Sequence, residues 1–137
     1  MASLKFNREL AFQYCVNMNL INLPNSIHTI GKSAFIYCEG LKSINIPTSM
    51  TSIEYSTFYY CENLKSLDLS NFDTSQVTRF GTYSGYSYGG MFENCTNLEN
   101  IDMSNWNTSK ATSFVRMFIG CSKLTSLDIS NFNTSSA

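Results

Sequence analysis

The chain has 137 residues, and its 9 Lys and Arg against 10 Asp and Glu leave a formal charge of −1. That balance excludes a nucleic-acid binder working through a broad basic face. Charged residues are only 14% and hydrophobic residues 43%, so the polar load falls on 20 Ser, 15 Asn and 12 Thr, and wholesale disorder is excluded.

The opening "MASLKFN" matches nothing else in the chain. From there on the sequence is repetitive. All five cysteines sit in F-x-x-C: Phe12/Cys15, Phe35/Cys38, Phe58/Cys61, Phe92/Cys95 and Phe118/Cys121. Each Cys is followed at +3, +6 and +8 by an aliphatic residue or Met. The triplets are Met18, Ile21, Leu23; Leu41, Ile44, Ile46; Leu64, Leu67, Leu69; Leu98, Ile101, Met103; and Leu124, Leu127, Ile129. The Cys-to-Cys steps are 23, 23, 34 and 26, in or near the leucine-rich-repeat range of roughly 20 to 29. Each triplet ends in strict alternation, so its last residues read as a short strand. Stacking such strands in register, roughly 4.8 Å apart, buries their apolar side in a parallel sheet from Met18 to Ile129.

The connecting segments come in two styles. The first two run from Pro, "PNSIHTIGKSAFIYC" and "PTSMTSIEYSTFYYC". The later ones run from Ser, "SNFDTSQVTRF", "SNWNTSKATSF" and the truncated "SNFNTSSA". The segments around F-x-x-C are too short for long helices and read as one-turn or 3₁₀ pieces. The fold expected is α/β: a leucine-rich-repeat solenoid of about five rungs, with a parallel sheet on one face and short helical or 3₁₀ turns and loops on the other. Residues 1–137 read as a single such domain, a fragment of a longer array.

The phrases "IGKSAFIYCEGLKSINIP" and "MFENCTNLENIDMSNWNTSKAT" resemble the two repeat styles of the BspA-type leucine-rich repeat family of microbial surface proteins. The resemblance runs from about Phe12 to Ala137. It implies display at the cell surface or outside the cell, and adhesion to a protein ligand such as a host matrix or cell-surface protein. It supplies no catalytic residues.

Several constellations bear on chemistry. The cysteines occupy core positions beside Phe and before Leu, where a buried thiol packs as a small hydrophobe. No C-x-x-C spacing supports a metal site, and none is expected. Asp68, Asp102 and Asp128 share one column of the exposed strand face, beside the column of Ser66 and Asn100. Such carboxylates suit either a protein contact or hydrogen bonds into their own turns. His28 lies in a turn with no partner at a catalytic spacing and reads as a surface residue. No G-x-S-x-G or phosphate loop occurs, so neither catalysis nor a cofactor is expected. The most individual feature is "GTYSGYSYGG", residues 81–90, where the next unit has only "VR". Its Tyr83, Tyr86 and Tyr88, set among Gly and Ser, have the composition of a contact loop.

The function expected is therefore a protein-binding recognition or adhesion module without catalysis, with Tyr83, Tyr86, Tyr88, Ser66, Asp68, Asn100, Asp102 and Asp128 as its contact residues. The alternative is a structural spacer or stalk. No nucleic-acid partner and no membrane insertion within the segment are expected, since no stretch approaches the roughly 18 apolar residues a membrane helix needs.

Overall fold

The computed structural model describes residues 11–50, 52–82 and 89–137. Six short strands follow in chain order: β1 Leu20–Asn22, β2 Thr29–Ile30, β3 Ser43–Asn45, β4 Ser52–Ile53, β5 Ser66–Asp68 and β6 Asn100–Asp102. All pairings between them are parallel. Ile21 stands opposite Ile44 in β1–β3, Ile30 opposite Ile53 in β2–β4, and Leu67 opposite Ile101 in β5–β6. Each pair joins equivalent positions of consecutive repeats. The alternation has the expected consequence in β1 and β5, where the middle residue is buried and its neighbours are exposed.

Among the described residues there is no helix, and the F-x-x-C segments are chains of tight turns instead. In four repeats the Cys N–H donates to the Phe carbonyl (Cys38 to Phe35, Cys61 to Phe58, Cys95 to Phe92, Cys121 to Phe118) at 3.1–3.2 Å. Other amides of the same segment point along the stack. The Phe12, Phe35, Phe58 and Phe92 N–H groups donate to the carbonyls of Ala34, Thr57, Met91 and Met117 in the following repeat. Those of Tyr14, Tyr37, Tyr60 and Asn94 donate likewise to Ile36, Tyr59, Glu93 and Ile119. A helix would consume these donors internally. The residue before each Cys holds a left-handed backbone: φ is 60° at Tyr14, 57° at Tyr37, 60° at Tyr60, 60° at Asn94 and 76° at Gly120. Only Asn and Gly tolerate that region readily, so the three tyrosines are held there by the stack.

The core is a ladder of identical positions. Phe35, Phe58 and Phe92 are fully buried, and Phe12, Phe35, Phe58, Phe92 and Phe118 stack in succession with centroids 5.1, 5.7, 6.0 and 5.5 Å apart. Each such pair adds about 0.5–1.5 kcal/mol beyond the area it buries. Beside them runs a thiol ladder. Cys38, Cys61, Cys95 and Cys121 donate through Sγ to the carbonyls of Phe12, Phe35, Phe58 and Phe92, at 2.9–3.2 Å. Cys38, Cys61 and Cys95 are wholly buried.

Three expectations need correction. The sheet is not continuous: β1–β3 and β5–β6 are separate two-stranded sheets, and no strand forms over the last triplet. Leu23 N–H bonds Asn45 and Leu69 N–H bonds Asp102, but among the described residues no such bond joins Ile46 to Asp68. The break falls where the two connector styles meet. In the Pro style, Ser49 reaches back to the Ile27 carbonyl. In the Ser style, buried Thr74 and Thr108 reach forward to the carbonyls of Asn107 and Asn133. At the junction Ser49 looks back and Thr74 looks forward, so neither of these two bridges it, and what crosses there is Lys65 N–H to the Lys42 carbonyl at 3.4 Å and the bonds of Ser56 and Phe58 on the turn side. Second, Ile129 is 47% exposed, although the equivalent Leu69 and Met103 are buried. Third, His28 is half-buried, and its Nδ1 bonds the Ser49 carbonyl of the next repeat at 3.0 Å.

Candidate functional site

The 81–90 insertion leaves the stack through a narrow neck. Gly81 and Gly90 face each other as an isolated antiparallel bridge, and Met91 N–H donates to the Phe80 carbonyl at 2.9 Å. Both glycines are buried against the backbone of the next repeat. A Cβ at Gly81 would sit 1.9 Å from the Val115 carbonyl oxygen, and one at Gly90 2.0 Å from that of Arg116. Only a residue without a side chain passes between two stacked backbones this way. Hydroxyls tie the neck from both sides: Ser113 Oγ donates to the Gly81 carbonyl at 3.0 Å, and Ser56 Oγ to the Gly89 carbonyl at 2.7 Å.

Beneath the neck lies an ion pair that the sequence reading missed, its carboxylate buried and its guanidinium partly exposed. Glu93 is 1% exposed, and its Oε2 accepts the Gly90 N–H at 3.0 Å. Arg116 of the next repeat donates through Nε to both carboxylate oxygens, at 3.0 and 2.9 Å, and through Nη2 to Oε1. Arg116 itself holds φ at 60°. The signal was present in the repeat column. Glu93 stands two residues before its Cys, where the other repeats carry Gln13, Ile36, Tyr59 and Ile119, and a carboxylate at a place where Ile36 is fully buried needs a counter-ion.

A second missed feature is a tyrosine cluster on the turn side. Tyr14 and Tyr37 stack at 5.2 Å with planes 3° apart, and Tyr37 meets Tyr60 at 5.2 Å and Tyr59 at 5.5 Å. The cluster abuts the neck, because a Cβ on Gly89 would come 3.2 Å from Tyr59 Cε2. Burial, then the nearby Tyr37 and Glu93, push the Tyr59 phenol up to about 12. The recurrence of Tyr14, Tyr37 and Tyr60 immediately before Cys was readable, but it had not been connected to the loop.

The sequence-predicted contact residues fall in three places. Tyr83, Tyr86 and Tyr88 lie outside the described residues. Ser66 and Asn100 are opposite one another, as are Asp68 and Asp102, all exposed on the strand face. Asp128 lies in the last triplet, which no strand pairing ties to them. The three carboxylates turn back into their own turns. Asp68 Oδ1 accepts from Ser70 N–H and Oγ, Asp102 from Ser104 N–H, and Asp128 from Ser130 N–H. The serine hydroxyls, then the serine amides, hold Asp68 and Asp128 below the usual carboxylate range. Among the described residues no group of three His, Cys, Asp or Glu is placed to hold a metal ion.

Where the connector styles meet, two clefts open. One of about 400 Å³ is lined by Ile44, Asn45, Ile46, Asp68, Asn71 and Phe72. The other, of about 470 Å³, lies between β4 and the Asp73–Arg79 segment and includes Glu54 and Tyr55.

A family model described as the BspA type leucine rich repeat region matches residues 7–136 in 6 copies, one more than the F-x-x-C motifs. No curated protein matches the chain. Three solved structures are similar. A leucine-rich repeat protein from Eubacterium ventriosum shares 23% identity at a TM-score of 0.55, over 79% of this chain and 25% of that one. A Leucine Rich Repeat protein of T. pallidum shares 23% identity at a TM-score of 0.43, over 84% of this chain and 69% of that one. One from Bacteroides ovatus shares 27% at 0.45, over 84% and 32%. The chain thus spans about a quarter of the Eubacterium protein, and that likeness concerns the fold alone.

Proposed function

Because this chain belongs to the BspA-type leucine-rich repeat family, we propose that it is a surface-displayed recognition module that binds a protein ligand, such as a host matrix or cell-surface protein, and carries out no catalysis. The family is associated with microbial surface proteins, its repeats are generally non-enzymatic scaffolds, and leucine-rich repeats commonly bind proteins. No helix among the described residues is long and apolar enough to cross a membrane.

The observation that carries the reading is the neck of the insertion. Gly81, Gly90, Ser56, Ser113, Glu93 and Arg116 fix both ends of one irregular loop in an otherwise regular stack. A loop presented on a rigid base suits recognition, since repeat positions are constrained by stacking while an outward loop is not. Tyr83, Tyr86 and Tyr88 are the proposed contacts, with the tyrosine cluster beside the neck as their support. The strand face of Ser66, Asp68, Asn100, Asp102 and Asp128 is the second candidate. It ranks lower because its carboxylates are engaged in their own turns.

The test is a binding screen of the 137-residue protein against immobilised matrix and cell-surface glycoproteins. A control variant deletes residues 82–89 and joins Gly81 to Gly90, which keeps both neck glycines where a Cβ has no room. The reading expects a stably folded control that has lost at least tenfold in affinity, roughly 1.4 kcal/mol. An unchanged affinity moves the site to the strand face. Absence of binding to every ligand by the folded parent protein favours the spacer reading.

A further inference from the structure

We propose that the strand-face cleft where the two connector styles meet binds a neutral sugar residue. The site begins with a broken main-chain ladder. In the rungs on either side, Leu23 N–H donates to the Asn45 carbonyl and Leu69 N–H to the Asp102 carbonyl. The same pattern would join Ile46 N–H to the Asp68 carbonyl, and among the described residues no bond joins them. Ile46 N–H is left without an acceptor there, and the Asp68 carbonyl without the donor that Asn45 and Asp102 receive. Both residues line the cleft of about 400 Å³ between β3 and β5. That volume lies within the range of about 300–1,000 Å³ of small-molecule sites.

The side chains of the cleft extend this pair of open groups. Asp68 Oδ1 is taken by the N–H and hydroxyl of Ser70, which leaves Oδ2 to accept. Asn45 gives its Nδ2 to Asn22, which leaves its carbonyl oxygen. The Asn71 side chain bonds nothing among the described residues, so it offers a donor and an acceptor. Half-buried Ile44 and Ile46 and buried Phe72 supply the apolar part of the lining. Donors and acceptors set around a small apolar surface match a sugar ring, whose hydroxyls each donate and accept. A cation would find one carboxylate and a main-chain N–H, a poor set for an ion that wants several oxygens. An anion would face the Asp68 charge. An inserted peptide strand needs walls about 9.6 Å apart, two ladder spacings of about 4.8 Å. At the other end of the same two strands, Lys65 N–H still reaches the Lys42 carbonyl at 3.4 Å, so the walls do not part that far. The site is separate from the 81–90 loop and does not depend on the role proposed for it.

The experiment is an NMR titration of the whole chain with the methyl glycosides of glucose, mannose and galactose, from micromolar to tens of millimolar. At least one glycoside is expected to give saturable shifts centred on the Ile46 and Asp68 N–H groups and the Asn71 side-chain amide. Asp68→Ala and Asn71→Ala, both at exposed positions, are each expected to weaken that binding at least tenfold. Asn107→Ala, an exposed asparagine of the following connector, is expected to leave it unchanged. The trisaccharide of the bound sugar separates two sources of the same chemistry. Affinity equal to that of the methyl glycoside supports a free sugar, and higher affinity supports a glycan chain. No saturable shift with any of the three glycosides overturns the proposal. Shifts centred away from the cleft, or shifts at these amides that only calcium chloride produces, overturn it as well. If either alanine variant fails to fold, the map of shifts on the parent protein decides alone.

Discussion

The thiol ladder is expected to cost the protein stability in alkali. Cys38, Cys61 and Cys95 are wholly buried, and each donates its proton to a Phe carbonyl of the preceding repeat. Burial pushes Cys38 up to about 12, Cys121 up to about 11, and Cys61 and Cys95 well above their ordinary value. In the unfolded chain these thiols ionise near their ordinary 9.0. Between that pH and the folded values the unfolded state binds fewer protons, so stability falls as pH rises. The contribution is fully present below about pH 9 and is lost above it, by about 1.4 kcal/mol per thiol per pH unit. At pH 10 that amounts to about 1.4 kcal/mol for each thiol and about 6 kcal/mol for the four, less what solvent screens at the half-buried Cys121, and is comparable to the whole stability of many domains.

Urea denaturation at pH 7, 8, 9 and 10 measures the effect. The paired control is Cys61→Ser with Cys95→Ser, because a hydroxyl keeps the donor but does not ionise in this range. Each replacement costs roughly 1–3 kcal/mol at pH 7 through burial of a stronger polar group. The double variant should nevertheless lose about half of the thiol pH dependence, since two of the four raised thiols no longer titrate. An unchanged slope in that variant, or equal stability of the parent protein at pH 8 and 10, would refute the argument. Tyr59, also raised to about 12, contributes in the same direction in both proteins and cancels from the comparison.

At the neck, the two halves of the ion pair should be unequal. Arg116→Ala strands Glu93, 1% exposed, without its counter-ion and should cost about 3–5 kcal/mol. Glu93→Gln leaves an acceptor for the Gly90 N–H and an Arg116 side chain already 43% exposed, and should cost only about 1–2 kcal/mol. Urea midpoints in the reverse order would contradict the burial assigned to Glu93. On the strand face, Ser70→Ala removes the hydroxyl that does most to hold the Asp68 carboxyl down, and NMR titration should then find Asp68 closer to its ordinary 3.8. The stability this bond supplies is present above the unfolded pKa and is lost as pH falls through the folded one. An Asp68 titration that ignores the substitution would argue that the Ser70 bond is not formed in solution.

What could be read from the sequence was whatever repeats. Phe35, Phe58 and Phe92, the cysteines after them and the strand centres Ile21 and Leu67 are core positions because each recurs at a fixed offset from its motif. The turns were harder. The four residues from Phe to Cys look like a helical turn when one repeat is considered alone. The Phe35 and Tyr37 amides prefer the carbonyls of Thr57 and Tyr59, and only the presence of a neighbouring repeat makes that choice available. The break in the sheet has the same origin. Ser49 and Thr74 each look satisfied within their own style, and the mismatch exists only between them.

The neck makes the complementary point, since its essential residues are those that depart from their columns. Glu93 puts a carboxylate in a column otherwise made of Gln13, Ile36, Tyr59 and Ile119, Gly81 and Gly90 occupy places where a Cβ has no room, and Arg116 comes from the following repeat. None of them matches a catalytic or ligand-binding motif, and each is unremarkable as a single residue. Compared along the stack, they are the positions where one repeat gives up the regular solution to hold a loop open. In a repeat protein the regular positions account for the fold, so a search for function properly begins with the irregular ones and with the residues of the next repeat that compensate them. Glu93 with Arg116, and Gly81 with Ser113, are two such compensated departures, and they converge on the same ten-residue insertion.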